Sequence, residues 1–351
     1  MAGMMKALVC HAGGKIELMD RPIPKIQEPT DAIVRVTLST ICTSDLHIMR
    51  GAVPRAVPET VLGHEFVGVI TQVGDGVKNL HPGDRVAANC VTYCGDCWFC
   101  QRGYVNNCEH GGWELGCRID GCQAEYVRVP YASTSLNRIP DGVSDRTALL
   151  TGDILSSGYF GAQLCNIRPG DTVAVIGAGP VGQCATMCAR LLGAGRVIAL
   201  EVDPARLQMA LDHGAADVGV NPAVQDAVDA ILQETSGRGA DGVIEAAGGI
   251  NTFQLAWQIA RPNAVVALVA MYEQQQSLPL ERMYGKNLIF KTGGVDSAYC
   301  DELLKHLAAG RLDPSYLLTH QGPLNDIITG YATFADKSSG CMKWVVTPYE
   351  R

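Results

Sequence analysis

From residue 171 onward, apolar runs and helix-like stretches alternate: DTVAVIG, PVGQCATMCARLLG, RVIALE, ARLQMALDHG, AVQDAVDAILQETSG, DGVIEAAG, TFQLAWQIAR and AVVALVA. This alternation is restrictive. Strands separated by helices bury their apolar faces most simply in a parallel sheet covered on both sides. Residues 1 to about 152 have a different texture. KALVC, AIVRVTL, EFVGVITQVG and DRVAANC are partly alternating runs broken by Gly and Pro, which predict a β-rich, barrel-like domain. Past about residue 290 the α/β pattern ends, and KWVVTP reads as one more strand. The expectation is an α/β chain in which a doubly wound parallel-sheet domain is inserted near the C-terminal end of a β-rich one. A length of 351 residues fits two cores better than one.

The first α/β turn, VAVIGAGPVGQ, carries G-x-G-x-x-G at Gly177, Gly179 and Gly182, entered by a strand and left by a helix. In that setting the first glycine makes a tight turn, the second lets backbone approach a pyrophosphate, and the third lets helix and strand pack closely. The free N–H groups at the helix start then face the phosphates. Glu201, in RVIALEVDPAR, stands where an acidic residue would accept hydrogen bonds from the ribose hydroxyls. Its charge would repel a 2′-phosphate, which favours NAD over NADP. Asp203 is near enough to share the role, and Arg206 to moderate the discrimination.

A second constraint is CGDCWFCQRGYVNNC, with Cys94, Cys97, Cys100 and Cys108 inside fifteen residues. Four thiolates at this spacing can close a tetrahedral shell around a structural Zn²⁺, stapling a lobe too small to bury its own core. An iron–sulfur cluster is the weaker alternative. The start MAGMMKALVC lacks the charged and apolar regions of a signal peptide, so a reducing cytoplasm is expected for the fourteen cysteines. A net charge of -8 argues against nucleic acid or an anionic membrane as main partner. No apolar run of about 18 residues is present to span a bilayer.

Three further stretches carry potential ligands: ICTSDLH with Cys42, Ser44, Asp45 and His47; LGHEFVG with His64 and Glu65; and TGDILSSGY with Asp153. Each is a weak signal alone, since lone histidines and cysteines are usually core residues. Together with KALV, the cysteine lobe, VIGAGPVG and the C-terminal strand, they resemble the zinc-dependent medium-chain alcohol dehydrogenases over essentially the whole chain. The resemblance implies a GroES-like catalytic domain over residues 1–154, a Rossmann NAD-binding domain over 155–291, and a return to the catalytic domain over 292–351.

It further implies a catalytic zinc held by Cys42, His64 and Asp153, with Glu65 behind the metal and able to coordinate it. Asp45 would orient the ligating histidine, and Ser44 and His47 would relay the proton. Ser157 would lie beside the nicotinamide. The cofactor-binding set is then Gly177, Gly179, Pro180, Val181, Gly182, Glu201, Arg206, Ser157, Val269 and Met271. Trp113 and Val295 would line the substrate pocket, with Leu62, Met49 and Met271 as weaker candidates.

An aspartate as third ligand resembles bacterial secondary-alcohol dehydrogenases and the glutathione-independent formaldehyde dehydrogenases. GDILSSGYFGA and CQAEYVRVPYA are similar to the latter branch, whereas the full cysteine lobe and Glu201 separate the chain from the former. The expected reaction is alcohol–carbonyl interconversion by hydride transfer to NAD, with two zincs per chain. The alternatives are a formaldehyde-type dehydrogenase or dismutase, or a nucleotide-binding sensor without catalysis. A homotetramer is expected, a dimer being the alternative, with AVVALVAMY as the edge strand that pairs subunits.

Overall fold

The computed structural model describes residues 3–349. It divides into two compact units, Ser157–Val295 and the remainder of the chain. The β-rich unit holds a sheet ordered His320–Pro323, Trp344–Thr347, Ala32–Thr40, Phe66–Val73, Arg85–Ala88 and Leu136–Arg138, with Tyr126–Val129 also paired to Ala32–Thr40. A smaller sheet pairs Met4–Cys10 with both Ile16–Pro22 and Thr60–Val61. Alternating inward residues such as Val34, Val36, Phe66 and Ile70 form the core between the layers. The final strand pairs antiparallel with the end of Ala32–Thr40 (Val345 opposite Thr40), and Ile41 N–H donates to the Trp344 carbonyl at 3.1 Å. The C-terminal segment is thereby fastened beside Cys42.

The second unit is a six-stranded sheet, every pair parallel, ordered Val218–Val220, Arg196–Leu200, Thr172–Ile176, Ala240–Glu245, Ala260–Leu268 and Ile289–Thr292. In order of appearance this is 3-2-1-4-5-6, the doubly wound nucleotide-binding topology, whose order reverses beside the first strand. Helices Pro180–Leu191, Pro204–Asp212, Ala227–Glu234 and Thr252–Ile259 match the sequence-predicted helical stretches. Two strands were illegible. VGV at 218–220 is only three residues long, and IFKT at 289–292 follows a segment without helical period. The strand within AVVALVAMY is therefore not an edge: Ala260–Leu268 is paired on both sides, and Ile289–Thr292 takes the edge position. A long β-branched run reads as an edge or an interior strand equally well.

Gly177 has φ +93, open to glycine, and a Cβ on Gly182 would lie 1.8 Å from the Gly177 carbonyl oxygen. Gly182→Ala should therefore push the helix start off the strand, lowering stability by about 1–3 kcal/mol. Chemical denaturation with matched slopes measures this, and an unchanged midpoint would contradict it.

Candidate metal centres and active site

Cys42 caps the helix Thr43–Met49, and its own N–H donates to Asp45 Oδ2 at 2.9 Å. His64 follows Gly63, whose φ of +96 turns the chain between the strands Thr60–Val61 and Phe66–Val73. A Cβ at Gly63 would also meet the Gln123 Cγ at 2.6 Å. Asp153 sits in a π-helical turn, Thr151–Leu155, the extra-residue geometry that re-aims a side chain and recurs at functional sites. Gly152 permits that turn, because a Cβ there would lie 1.7 Å from the Ala88 carbonyl oxygen.

One ligand atom each from Cys42, His64 and Asp153 lies within 4.8 Å of the others, all three residues buried on different segments. Cys42 Sγ stands 3.4 Å and His64 Nε2 3.3 Å from Asp153 Oδ2. Ligands at about 2.0–2.3 Å from one tetrahedral zinc would be about 3.3–3.5 Å apart, so the spacing fits the ion. A thiolate, an imidazole and a carboxylate are also the donor types zinc accepts. Asp45 Oδ1 approaches His64 Nδ1 at 3.4 Å, leaving Nε2 for the metal. Burial disfavours the charged forms of both members of the His64–Asp153 pair. Their mutual hydrogen bond, joined by Asp45 and Cys42 at His64 and by Lys343 and Cys42 at Asp153, outweighs it, holding Asp153 well below the usual carboxylate range and His64 well above the usual imidazole one. Burial pushes the Cys42 thiol up, against the nearby Lys343 charge. Ser44 Oγ lies 3.6 Å from Cys42 Sγ, and His47 is on the same helix.

Glu65 stands apart from this cluster. Its buried carboxylate accepts hydrogen bonds from Lys343 and from Thr40 Oγ1, and Lys343 also donates to the Ile41 carbonyl at 3.0 Å. Both bonds from side chains fall on Oε2, and Oε1 is buried without a hydrogen-bond partner, so Glu65 is held by an ion pair in its expected place beside His64. Lys343 went unnoticed in KWVVTP because a lysine opening a strand usually points to water. A charged residue leading an otherwise apolar run was the available signal.

In the second cluster, Cys94, Cys97, Cys100 and Cys108 also present sulfurs within 4.8 Å of one another. Cys94 Sγ is 3.5 Å from Cys108 Sγ and 3.9 Å from Cys100 Sγ. Disulfides need about 2.05 Å, whereas tetrahedral zinc–thiolate bonds of about 2.3 Å set sulfurs about 3.8 Å apart. Backbone N–H groups of Cys94, Cys97 and His110 point at these sulfurs, as thiolate stabilisation requires.

In the nucleotide unit, Gly179 precedes Pro180 and Val181 at the helix start. The Glu201 carboxylate closes this end of the sheet by accepting N–H bonds from Ala178, Val202 and Asp203. The Arg206 guanidinium stands 3.9 Å from where a Cβ on Gly179 would be, over the glycine turn. Val269 follows the strand Ala260–Leu268, Met271 is exposed, and Ser157 lies on the helix Ser156–Leu164. Val295 ends this unit.

Trp113 packs edge-on against His64, ring centroids 5.5 Å apart, and the Arg55 guanidinium covers the Trp113 ring at 5.2 Å. Leu62, by contrast, is fully buried in the core with Leu8, Ile41 and Trp344, and Met49 packs against that core. Leu62 is therefore a structural residue and not a pocket wall.

Residues 28–141 match the model of the alcohol dehydrogenase GroES-like domain, and residues 180–308 that of the zinc-binding dehydrogenase domain. An alcohol dehydrogenase of Cupriavidus necator is 39% identical, with 99% of this chain and all of the relative aligned. The chain belongs to the zinc-dependent medium-chain alcohol dehydrogenases. Among solved structures, an alcohol dehydrogenase from Thermus sp. ATN1 superposes with a TM-score of 0.91 at 37% identity, covering 98% of this chain and 99% of that one. Two more distant relatives hold nicotinamide cofactors. A Sinorhizobium meliloti zinc-binding dehydrogenase (27% identity, TM-score 0.90, 99% and 100% coverage) was solved with NADP. An Escherichia coli CFT073 dehydrogenase (28%, 0.89, 98% and 99%) was solved with NADH. This dehydrogenase is thus a zinc-dependent oxidoreductase using a nicotinamide cofactor. No helix among its described residues is long and apolar enough to cross a membrane.

Replacing Lys343 by Met should leave the dehydrogenase with Glu65 buried and uncompensated, a loss of about 3–5 kcal/mol. The double variant Lys343→Met, Glu65→Leu should recover most of it. Urea denaturation reads both, and a single variant as stable as the parent would contradict the ion-pair assignment.

Proposed function

We propose that this protein interconverts an alcohol and its aldehyde or ketone by hydride exchange with NAD(H), at a zinc held by Cys42, His64 and Asp153. The observation that carries the reading is the buried convergence of thiol, imidazole and carboxyl from three distant segments. When bound, zinc supplies Lewis acidity toward the substrate oxygen. Ser44 accepts the hydroxyl proton and His47 passes it toward solvent. Asp45 holds the His64 ring in the tautomer that offers Nε2 to the metal. Trp113 limits substrate size beside His64, with Val295 as a further wall.

The four-cysteine cluster supports a second, structural zinc. The Glu201 charge at the end of its strand supports NAD over NADP, with Arg206 and the glycine turn receiving phosphates. Ser157, Val269 and Met271 complete the proposed nicotinamide contacts. The unpaired edge of Ile289–Thr292 supports self-association through the sheet, a homotetramer being the assembly proposed. A small-molecule alcohol or carbonyl compound is the partner, and the cytoplasm the proposed compartment.

Metal analysis of the purified protein, with a panel of alcohols, polyols, hydroxysteroids and aldehydes, tests the reading by nicotinamide absorbance. About two zincs per chain and NAD⁺-dependent alcohol turnover are expected. Turnover with no bound metal would overturn it, and carboxylate formed from aldehyde plus NAD⁺ would reassign the reaction to a formaldehyde-type dehydrogenase or dismutase. For cofactor choice, Glu201→Ala should lower the NAD⁺ to NADP⁺ ratio of kcat/KM at least about tenfold, one charge contact being worth roughly 1.4 kcal/mol or more. An unchanged ratio would remove Glu201 from that role.

A further inference from the structure

Behind His64 runs a buried hydrogen-bond chain whose outer members, Gln123 and Tyr331, have no part in the reaction as described. Asp45 is fully buried, and its Oδ2 accepts from the Cys42 N–H at 2.9 Å and from Gln123 Nε2 at 3.2 Å. Its Oδ1 faces His64 Nδ1 at 3.4 Å. Gln123 is also fully buried, and its Oε1 accepts from the Tyr331 hydroxyl at 2.7 Å. Tyr331 lies on the helix Ile327–Ala335, inside the core with Leu8, Ile41 and Trp344. The backbone of Gln123 is itself pinned, its N–H to the Leu62 carbonyl and its carbonyl to the Leu8 N–H, both at 2.9 Å.

A primary amide has an acceptor end and a donor end, and it can flip between them. Beside a carboxylate only one orientation is favourable. Were the Gln123 amide reversed, its oxygen would stand against Asp45 Oδ2, two acceptors in a buried place. A hydroxyl could in principle serve either end, but with Gln123 Nε2 committed to Asp45 the Tyr331 hydroxyl donates to Oε1, and burial and the Asp45 charge keep it protonated. Gly63 makes room for the arrangement, since its missing Cβ is where the Gln123 Cγ passes.

We propose that Tyr331 and Gln123 are positioning residues for the metal ligand His64. Tyr331 selects the amide orientation of Gln123, Gln123 holds Asp45, and Asp45 holds the imidazole with Nε2 toward the metal. The inference rests on reading His64 as a zinc ligand. Both residues are buried, and both reach His64 through Asp45. Outer partners of metal-binding histidines typically change metal affinity about 10–100-fold.

The test is chelator competition on the two-zinc protein, following each site separately, together with the visible spectrum of the cobalt-substituted catalytic site. Tyr331→Phe keeps the ring and its packing, and should weaken metal binding at the catalytic site about tenfold, leaving the four-cysteine site unchanged. Gln123→Met should do the same, and adding Tyr331→Phe to it should cost less than the sum of the two single losses, because the hydroxyl acts mainly through the amide it donates to. Unchanged catalytic-site affinity and cobalt spectrum in both single variants would overturn the proposal. So would equal weakening of both sites, or additive losses in the double variant. His64→Ala keeps the two readings distinguishable. If it retains both zincs, the ligand assignment fails; if it loses one while Tyr331→Phe and Gln123→Met hold that metal with unchanged affinity, only the positioning role fails.

Discussion

A thiol, an imidazole and a carboxyl crowded together away from water constitute the most expensive feature of this molecule. Each would be better solvated outside, and removing charge from water costs several kcal/mol per group unless a partner compensates. Cys42, His64 and Asp153 are nonetheless buried with their ligand atoms within 4.8 Å. Such an arrangement suits a divalent cation and needs a frame that prevents the side chains from turning away. Much of the local architecture of the β-rich unit is that frame.

Its parts act on different ligands. A π-helical turn aims Asp153, and Gly152 lets that turn lie against the Ala88 carbonyl. The left-handed Gly63 brings His64 out between two strands. Pairing of the last strand delivers Lys343 to Glu65, so the carboxylate adjacent to His64 is neutralised by protein. Asp45 caps Cys42 and backs His64 at once, and is therefore fixed by Gln123 and Tyr331. The small cysteine lobe has its own solution, four sulfurs at zinc-like spacing in place of an apolar core.

What the sequence disclosed follows from the range of the interactions. The glycine turn, the four-cysteine lobe and most α/β elements are local patterns, legible because period and spacing encode them. Cys42, His64 and Asp153 carried little signal singly, and their grouping was legible only through family resemblance. Lys343, Gln123 and Tyr331 were missed because their partners are distant, Lys343 and Glu65 lying 278 positions apart and Tyr331 and Gln123 208. The short strands 218–220 and 289–292 were missed for lack of length, which misassigned the sheet edge. The ion pair of Glu65 was hidden because its position beside His64 suggests the metal, and nothing local signals that Lys343, just before the last strand, also meets its charge.

The most direct measurement is a crystal structure with anomalous data on both sides of the zinc absorption edge. The account predicts two zinc peaks. One lies among Cys94, Cys97, Cys100 and Cys108. The other lies within about 2.0–2.3 Å of Cys42 Sγ, His64 Nε2 and an Asp153 carboxylate oxygen, with Glu65 still on Lys343. Zinc in the cysteine lobe alone, or a second peak coordinated without Asp153, would contradict it.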